Sequence, residues 1–450
     1  MAADARQDNP TSQSSASTDA VDGGWERHEL TEVIDFQEGP GILAKDFRES
    51  GVPLIRLAGL DRDASVLRGC NYLDPEMVEA RWQHFRVLPG DTLLSTSASL
   101  GRIAIVSEEA AGAIPYTGII RFRPKDDRIV SEFIRYVLES RDFQLQAEAM
   151  GAGSVIRHFG PTHLRDMTLL LPPPEEQRAI AAVLGSLDDK VEQNRRTART
   201  LERLARAIFK AWFVDFEPVK AKANGAASFP SMPQEVFDAL PTAFADSHIG
   251  PVPEGWDVKA IAKIATFLNG LALQKYPPRG DGNDLRVIKI AQLRKGSTGD
   301  ADWANGDVPE QYVIRDRDLL FSWSGTLEAT LWFGGPGALN QHLFKVSSER
   351  YPSWFCLLWI RQHLPWFRAI AASKATTMGH IKRGHLQEAQ VVVPPPPVLQ
   401  AADEVLGSLY DLHAALMIES GRLGAMRDLL LPKLLSGEVG VRTIGKDNEG

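Results

Sequence analysis

Two stretches of this chain carry apolar residues at alternating steps of three and four. The first sets Ile180, Leu184, Leu187, Val191, Asn194, Ala198, Leu201, Ala205, Ile208 and Trp212 on one stripe, a heptad seam with Asn194 as its one polar member. The second carries Val398, Ala402, Val405, Leu409, Leu412, Leu416, Leu423, Met426, Leu430 and Leu434, with Ser420 and Gly421 as an interruption. Prolines at 172–174 and 394–397 lead in to each. They hold the preceding residue extended and suit a first helical position, and Glu175 and Glu176 complement the helix dipole. The pattern predicts long helices over 175–216 and 398–438. Such lengths exceed the mean globular helix about threefold. The expected arrangement is therefore an antiparallel coiled coil of the two rather than two separate core helices. At 1.5 Å per residue, about 38 residues make a rod of roughly 55 to 60 Å.

Elsewhere the period is two. LIRLAGL from Leu54 and VIKIAQL from Val287 alternate as half-buried strands do, and Thr168–Leu171 and Gln390–Val393 read as strands ended by proline. These segments come in pairs and in order. WERHELTEVIDFQEG from Trp25 matches WDVKAIAKIATFLNG from Trp256, with Phe36 on Phe267 and Gly39 on Gly270. GDTLLS around Asp91 matches RDLLFS around Asp318, His163-Leu164 matches His385-Leu386, and VLGSLDD from Val183 matches VLGSLYD from Val405. Such order predicts an internal repeat, each half a mixed strand-rich domain followed by a proline run and a helix. The expected fold class is α+β with pseudo-twofold organisation. Its parts are a disordered tail at 1–24, a first domain at 25–174, a helix at 175–216, a linker at 217–250, a second domain at 251–397, a helix at 398–438 and a tail at 439–450.

Composition adds limits. A chain of 450 residues that is 44% hydrophobic and 24% charged predicts two or three soluble globular domains. Cys70 and Cys356 stand far apart, which disfavours a disulfide framework or zinc ribbon and points to a reducing cytoplasm. The N-terminus has neither the basic start nor the apolar core of a signal peptide, and no apolar run approaches the length of a membrane span. A net charge of −8 argues against a uniformly basic nucleic-acid binder, yet from Lys190 to Lys210 seven basic residues face two acids.

Catalytic signatures are missing. There is no phosphate-binding G-x-x-x-x-G-K-[ST] loop, no glycine-rich methyl-donor loop with Asn/Asp-Pro-Pro-aromatic, and no metal-ligand spacing; Tyr276-Pro277-Pro278-Arg279 has the wrong ends. No enzymatic centre and no cofactor are expected in the chain. Candidate DNA contacts lie instead in loops rich in Ser, Thr, His, Lys and Arg, which bond to base edges and phosphates. They are Ser154, Arg157 and His158 in one half, and Lys374, Thr376, Thr377, His380, Lys382 and Arg383 in the other. Ser97 and Arg102, with Ser322 and Ser324, form a second, weaker pair of loops.

The chain resembles the specificity subunit of type I restriction-modification systems from Trp25 to about Val439. The likeness rests on PEGW at Pro253 to Trp256, on HLRDMTLLLPPPEEQRAIAAVLGSLDDKVEQNRR from His163, on AIFKAWFVDFEPVKAKANG from Ala207 and on LLLPKLLSGEV at Leu429 to Val439. It implies two target recognition domains spaced by an antiparallel helical pair, each reading one half of a split double-stranded DNA target. It also implies two docked methyltransferase subunits that bind S-adenosylmethionine, and endonuclease/translocase subunits that bind ATP and magnesium. The second copy departs in having Val398-Leu399-Gln400 where the first has Glu-Glu-Gln-Arg. The alternatives from residues alone are an accessory DNA-recognition or scaffold subunit of another phage-defence system, and a self-contained modification enzyme.

Overall fold

The computed structural model describes residues 24–60, 65–96, 101–150, 160–373 and 379–441. The chain divides into two compact units, residues 1–189 with 424–450 and residues 190–423. The first has a four-stranded antiparallel sheet ordered Ile34–Glu38, Ile119–Pro124, Thr92–Ser95, Ile103–Ile105. A second sheet runs Phe47–Arg48, Asn71–Leu73, Val52–Ile55, Ile114–Pro115, and only its last pairing is parallel. Glu26–Glu29 forms a separate ribbon with Thr168–Leu171. Helix Ser131–Glu139 presses Phe133, Ile134 and Val137 into a core shared with Phe122, Ile180, Leu184 and Leu434.

In the second unit the antiparallel sheet is Thr266–Asn269, Leu343–Ser347, Leu319–Ser322, Ala329–Leu331. The mixed sheet is Trp303–Ala304, Leu285–Ile288, Gly337–Leu339, Val313–Ile314, with the middle pair parallel. Asp257–Ala260 pairs with Gln390–Val393. Helix Ser353–Ser373 packs its aromatic residues with Phe209, Trp212 and Phe213 in an extensive apolar cluster.

The strands at Leu54 and Val287 are shorter than their sequence patterns. After Ile55 the chain turns into the 3-10 helix Leu57–Leu60, and after Ile288 into the helix Ile290–Lys295, where Leu293 is buried. Residues 217–250, read as a linker, include helices Glu217–Ala223 and Gln234–Ala239. Val219, Val236, Phe237 and Leu240 are buried there, so this stretch belongs to the second unit's core.

The two helices after the proline runs are long, 41 and 40 residues. The first runs Pro174–Phe209 and closes in a π-turn at Lys210–Val214. Most of its predicted stripe is buried, with Asn194 at 1% exposure, while Leu187, Val191 and Leu201 are half-buried. The second runs Pro396–Ala402, passes a π-turn at Asp403–Gly407 and continues unbroken as Ser408–Leu435. Ser420 does not interrupt it, because its hydroxyl donates to the Leu416 carbonyl at 2.8 Å. The π-turn inserts one residue and rotates the helix. Leu406, Tyr410 and Ala414 therefore face inward, whereas Leu412 and Met426, assigned to the seam, are 50% and 52% exposed.

Each unit contains contacts between segments of both helices. In the first, Arg427 donates to Asp188 at 2.7 Å, and Ile180 and Leu184 share a core with Leu434. In the second, the Asn194 amide donates to Glu419 at 2.7 Å.

Candidate nucleic-acid interface

Several strands of the second unit end at one rim. Leu319–Ser322 and Thr266–Asn269 stop where Leu343–Ser347 begins, and the turn Asn340-Gln341-His342 joins that strand to Gly337–Leu339. Gly270 makes the close approach possible, because a Cβ there would lie 2.2 Å from the Asn340 carbonyl oxygen. At the centre of the rim the Trp323 indole N–H donates to Asn269 Oδ1 at 2.9 Å and to the Gln341 carbonyl at 3.2 Å. The same ring lies 5.9 Å from His342 and 6.3 Å from His380. Ser324 Oγ is 2.9 Å from His342 Nδ1, and Gln341 Nε2 is 3.4 Å from His342 Nε2. The segment after residue 378 clips onto the rim, with Gly325 N–H donating to Gly379 and Ile381 N–H to Trp323, both at 2.9 Å. Lys382 and Arg383 follow, both exposed, at the start of helix Arg383–Glu388. His385 serves that helix, its Nδ1 accepting the Lys382 N–H at 3.1 Å.

The first unit is built alike locally. Gly39 lies against the Pro115 carbonyl, where a Cβ would approach to 2.0 Å. Thr96 N–H donates to Gly118 at 2.9 Å, and Gly118 N–H donates to the Glu38 carboxylate at 3.0 Å. Arg56 stacks over Tyr116 at 4.1 Å, and the Arg102 N–H donates to Ser95 Oγ at 3.0 Å. His163 Nδ1 accepts the Gly160 N–H at 3.1 Å, opening helix Pro161–Leu164.

Much of the basic charge in the strands is consumed internally. Arg123 grips Asp91 with two bonds of 2.6 and 2.7 Å, which raises its affinity for the proton, and Arg121 pairs with Asp35 while burial pulls its own pKa down. Lys345 pairs with Asp318 at 2.8 Å. Lys382 and Arg383 form no ion pair among the described residues and remain available to phosphate.

Of the residues expected to touch DNA, Ser97, Ser154, Arg157, His158, Lys374, Thr376 and Thr377 lie outside the described residues. Ser322 is buried, its hydroxyl donating to the Thr326 carbonyl at 2.7 Å and accepting from Glu328 N–H at 2.8 Å, so it shapes the loop and does not face solvent. Ser324 is also buried and holds His342. His380, Lys382 and Arg383 gather at the rim with Trp323, Asn269, Gln341 and His342, four residues the loop-composition argument missed. The available signal was polar residues directly after alternating strand segments, in LNG at Asn269 and LNQH at Gln341.

Among the described residues no His, Cys, Asp or Glu cluster could hold a metal ion, and no helix is long and apolar enough to cross a membrane. Residues 22–203 match the family described as type I restriction modification DNA specificity domain. The chain is 26% identical over 373 residues to the type I restriction enzyme MjaIX specificity subunit of Methanocaldococcus jannaschii, covering 80% of each chain. It is 23% identical over 387 residues to the HindI specificity subunit of Haemophilus influenzae, covering 75% of this chain and 84% of the other. A solved type I restriction-modification S subunit from M. genitalium shares the fold with a TM-score of 0.52 at 13% identity, over 94% of this chain and 97% of that one.

Proposed function

We infer that this chain, which belongs to the family of type I restriction-modification specificity subunits, reads a split double-stranded DNA target, one half through each strand-rich domain, and contributes recognition without catalysis. The observation that carries this reading is the pair of rims. Each lies where the same set of strands ends, beside a close-approach glycine, but the two rims bear different side chains, Glu38, Arg56 and Thr117 against Asn269, Gln341 and His342. The backbone plan suits the same groove twice, and the chemistry suits two different base sequences.

The chain acts as an internal repeat on an antiparallel coiled coil that fixes the separation of the half-sites. Support for this comes from the seam burial of Ile180, Leu184, Asn194, Ala198 and Ala205, and from the pairing of Asp188 with Arg427 and of Asn194 with Glu419. Exposed Leu204, Leu412, Met426 and Leu429 on the long helices, between 47% and 62% exposed, offer apolar docking points for two methyltransferase subunits. Those partners would hold S-adenosylmethionine, endonuclease/translocase subunits would hold ATP and magnesium, and the assembly would work in the cytoplasm. Methylated motifs mapped by long-read sequencing in cells expressing the complex test the reading. A four-residue insertion near Lys190 should change the spacer and leave both half-sites intact; an unaltered spacer overturns the ruler, and motifs indifferent to this chain overturn the function.

A further inference from the structure

We propose that Gln341 is a base-reading residue of the second unit, specific for an adenine in the major groove and aimed by a Ser324–His342 relay. The proposal rests on the DNA-reading function argued above. Gln341 sits in the turn between two strands, and its backbone is tied down on both sides: its N–H donates to the Leu271 carbonyl at 2.9 Å, and its own carbonyl accepts the Trp323 indole at 3.2 Å. Its side chain is half-buried, with Nε2 at 3.4 Å from His342 Nε2. The other ring nitrogen of His342 lies 2.9 Å from Ser324 Oγ. With the amide nitrogen facing His342, one proton arrangement satisfies both contacts. Nδ1–H donates to the serine, and the Nε2 lone pair accepts one amide N–H of Gln341.

The second N–H and Oε1 remain without a partner among the described residues, and Oε1 is not among the sealed, unbonded polar atoms of the unit. A carboxamide presenting one donor and one acceptor side by side complements adenine N7 and N6–H₂. Restricting the turn in advance lowers the entropy lost on binding. Ser324 is deeply buried, so it acts through His342 as a positioning residue. In the first unit the corresponding turn carries Thr117, whose hydroxyl lies 3.5 Å from Glu38, so this unit lacks such a carboxamide there.

The test uses the full chain assembled with its modification subunits. The wild-type motif is mapped first; a motif that depends on this chain establishes the underlying function independently of Gln341. Gln341→Ala should then relax one adenine position in one half-site by about ten-fold or more. Gln341→Glu should move preference at that position toward cytosine, whose N4 amine donates to a carboxylate. His342→Ala should blur the same position, with rescue by His342→Asn. Wild-type protein should also lose affinity for a duplex in which that one adenine is replaced by 7-deazaadenine, a readout that does not depend on any variant folding. Active variants with an unchanged motif, or wild-type binding indifferent to 7-deazaadenine at every adenine of that half-site, would overturn the proposal.

Discussion

Among the described residues the buried charged side chains, Asp91, Arg121 and Arg427, each stand in an ion pair. Asp188 on the first long helix accepts from Arg427 on the second at 2.7 Å and lies 3.1 Å from Arg135 of helix Ser131–Glu139. Burial works against the charge on Arg427, but the bond to Asp428 and the charge of Asp188 more than compensate and hold its pKa above the ordinary arginine value. Removing Arg427 takes one of two cations from Asp188 and leaves Arg135, so the loss is part of the ~3 to 5 kcal/mol that breaking an isolated buried pair costs. Arg427→Met should therefore lower the thermal unfolding midpoint, and adding Asp188→Leu should recover much of the loss. An additive double variant in calorimetry would refute the pairing. In the second unit the counterpart cluster is Glu202 with Arg361 and Arg206, against His413 and Tyr410. Burial depresses the His413 pKa below 6.5, with Glu202 opposing and Arg361 assisting. Burial pushes Glu202 up, but Arg361, Arg206 and His413 outweigh it and leave it below 4.5. Both shifts have one sign. The unfolded chain binds protons more readily, so stability is full at neutral pH, begins to fall below about pH 6.5 through His413 and falls further near pH 4.5 through Glu202. Melting curves from pH 7.5 to 5.5 should decline, and His413→Phe should reduce that decline, the rest belonging to His363, whose pKa burial also lowers; an identical slope in the variant removes His413 as a source.

At the level of elements, what the sequence made legible was periodicity, and what it hid was local backbone change. Strands Thr168–Leu171 and Gln390–Val393 were readable because proline ends them, and the first long helix because its stripe has no insertion before the closing π-turn. The second helix misled because one π-turn, with Gly407 against Asp403, rotates the turns that follow without altering the apolar count, so that Leu412 and Met426 leave the seam while Leu434 stays buried. The strand at Leu54 misled because Leu57 and Leu60, which extend its apolar run, belong to a 3-10 turn, in which residues three apart share a face. The rim was legible only in part. Composition pointed to loops with Lys382 and Arg383, but Trp323 and Asn269 matter through hydrogen bonds that no local pattern encodes. The matched glycines Gly39 and Gly270 were the strongest clue, since both mark backbone approaches too tight for a Cβ. Gly270→Ala should force Asn340 to move and destabilise the unit by about 1 to 3 kcal/mol. It should also loosen Gln341 and weaken discrimination in one half-site. Full thermal stability with unchanged discrimination, measured by melting and by competition binding, would show that the approach has slack.

For the whole molecule, the difficulty is that a chain of net charge −8 must hold a polyanion. Long-range attraction of the duplex is then unfavourable, and affinity has to come from short-range positive groups that internal carboxylates have not already claimed. Arg121, Arg123 and Lys345 are claimed, by Asp35, Asp91 and Asp318. Lys382 and Arg383 are exposed at the start of helix Arg383–Glu388 and pair with no carboxylate among the described residues. Phosphate contacts position a protein without carrying sequence, so these two residues should behave differently from Gln341. Replacing both with alanine should weaken binding of the assembled complex to matched and mismatched duplexes alike and leave the methylated motif unchanged. Each phosphate contact contributes about 0.9 to the slope of log affinity against log salt, so the double variant should flatten that slope by roughly 1.8. The loss should be largest at low ionic strength and shrink as salt rises. A slope that matches wild type, or a motif that changes at particular bases, would mean that the pair lies off the backbone path and that the phosphates are held by other groups.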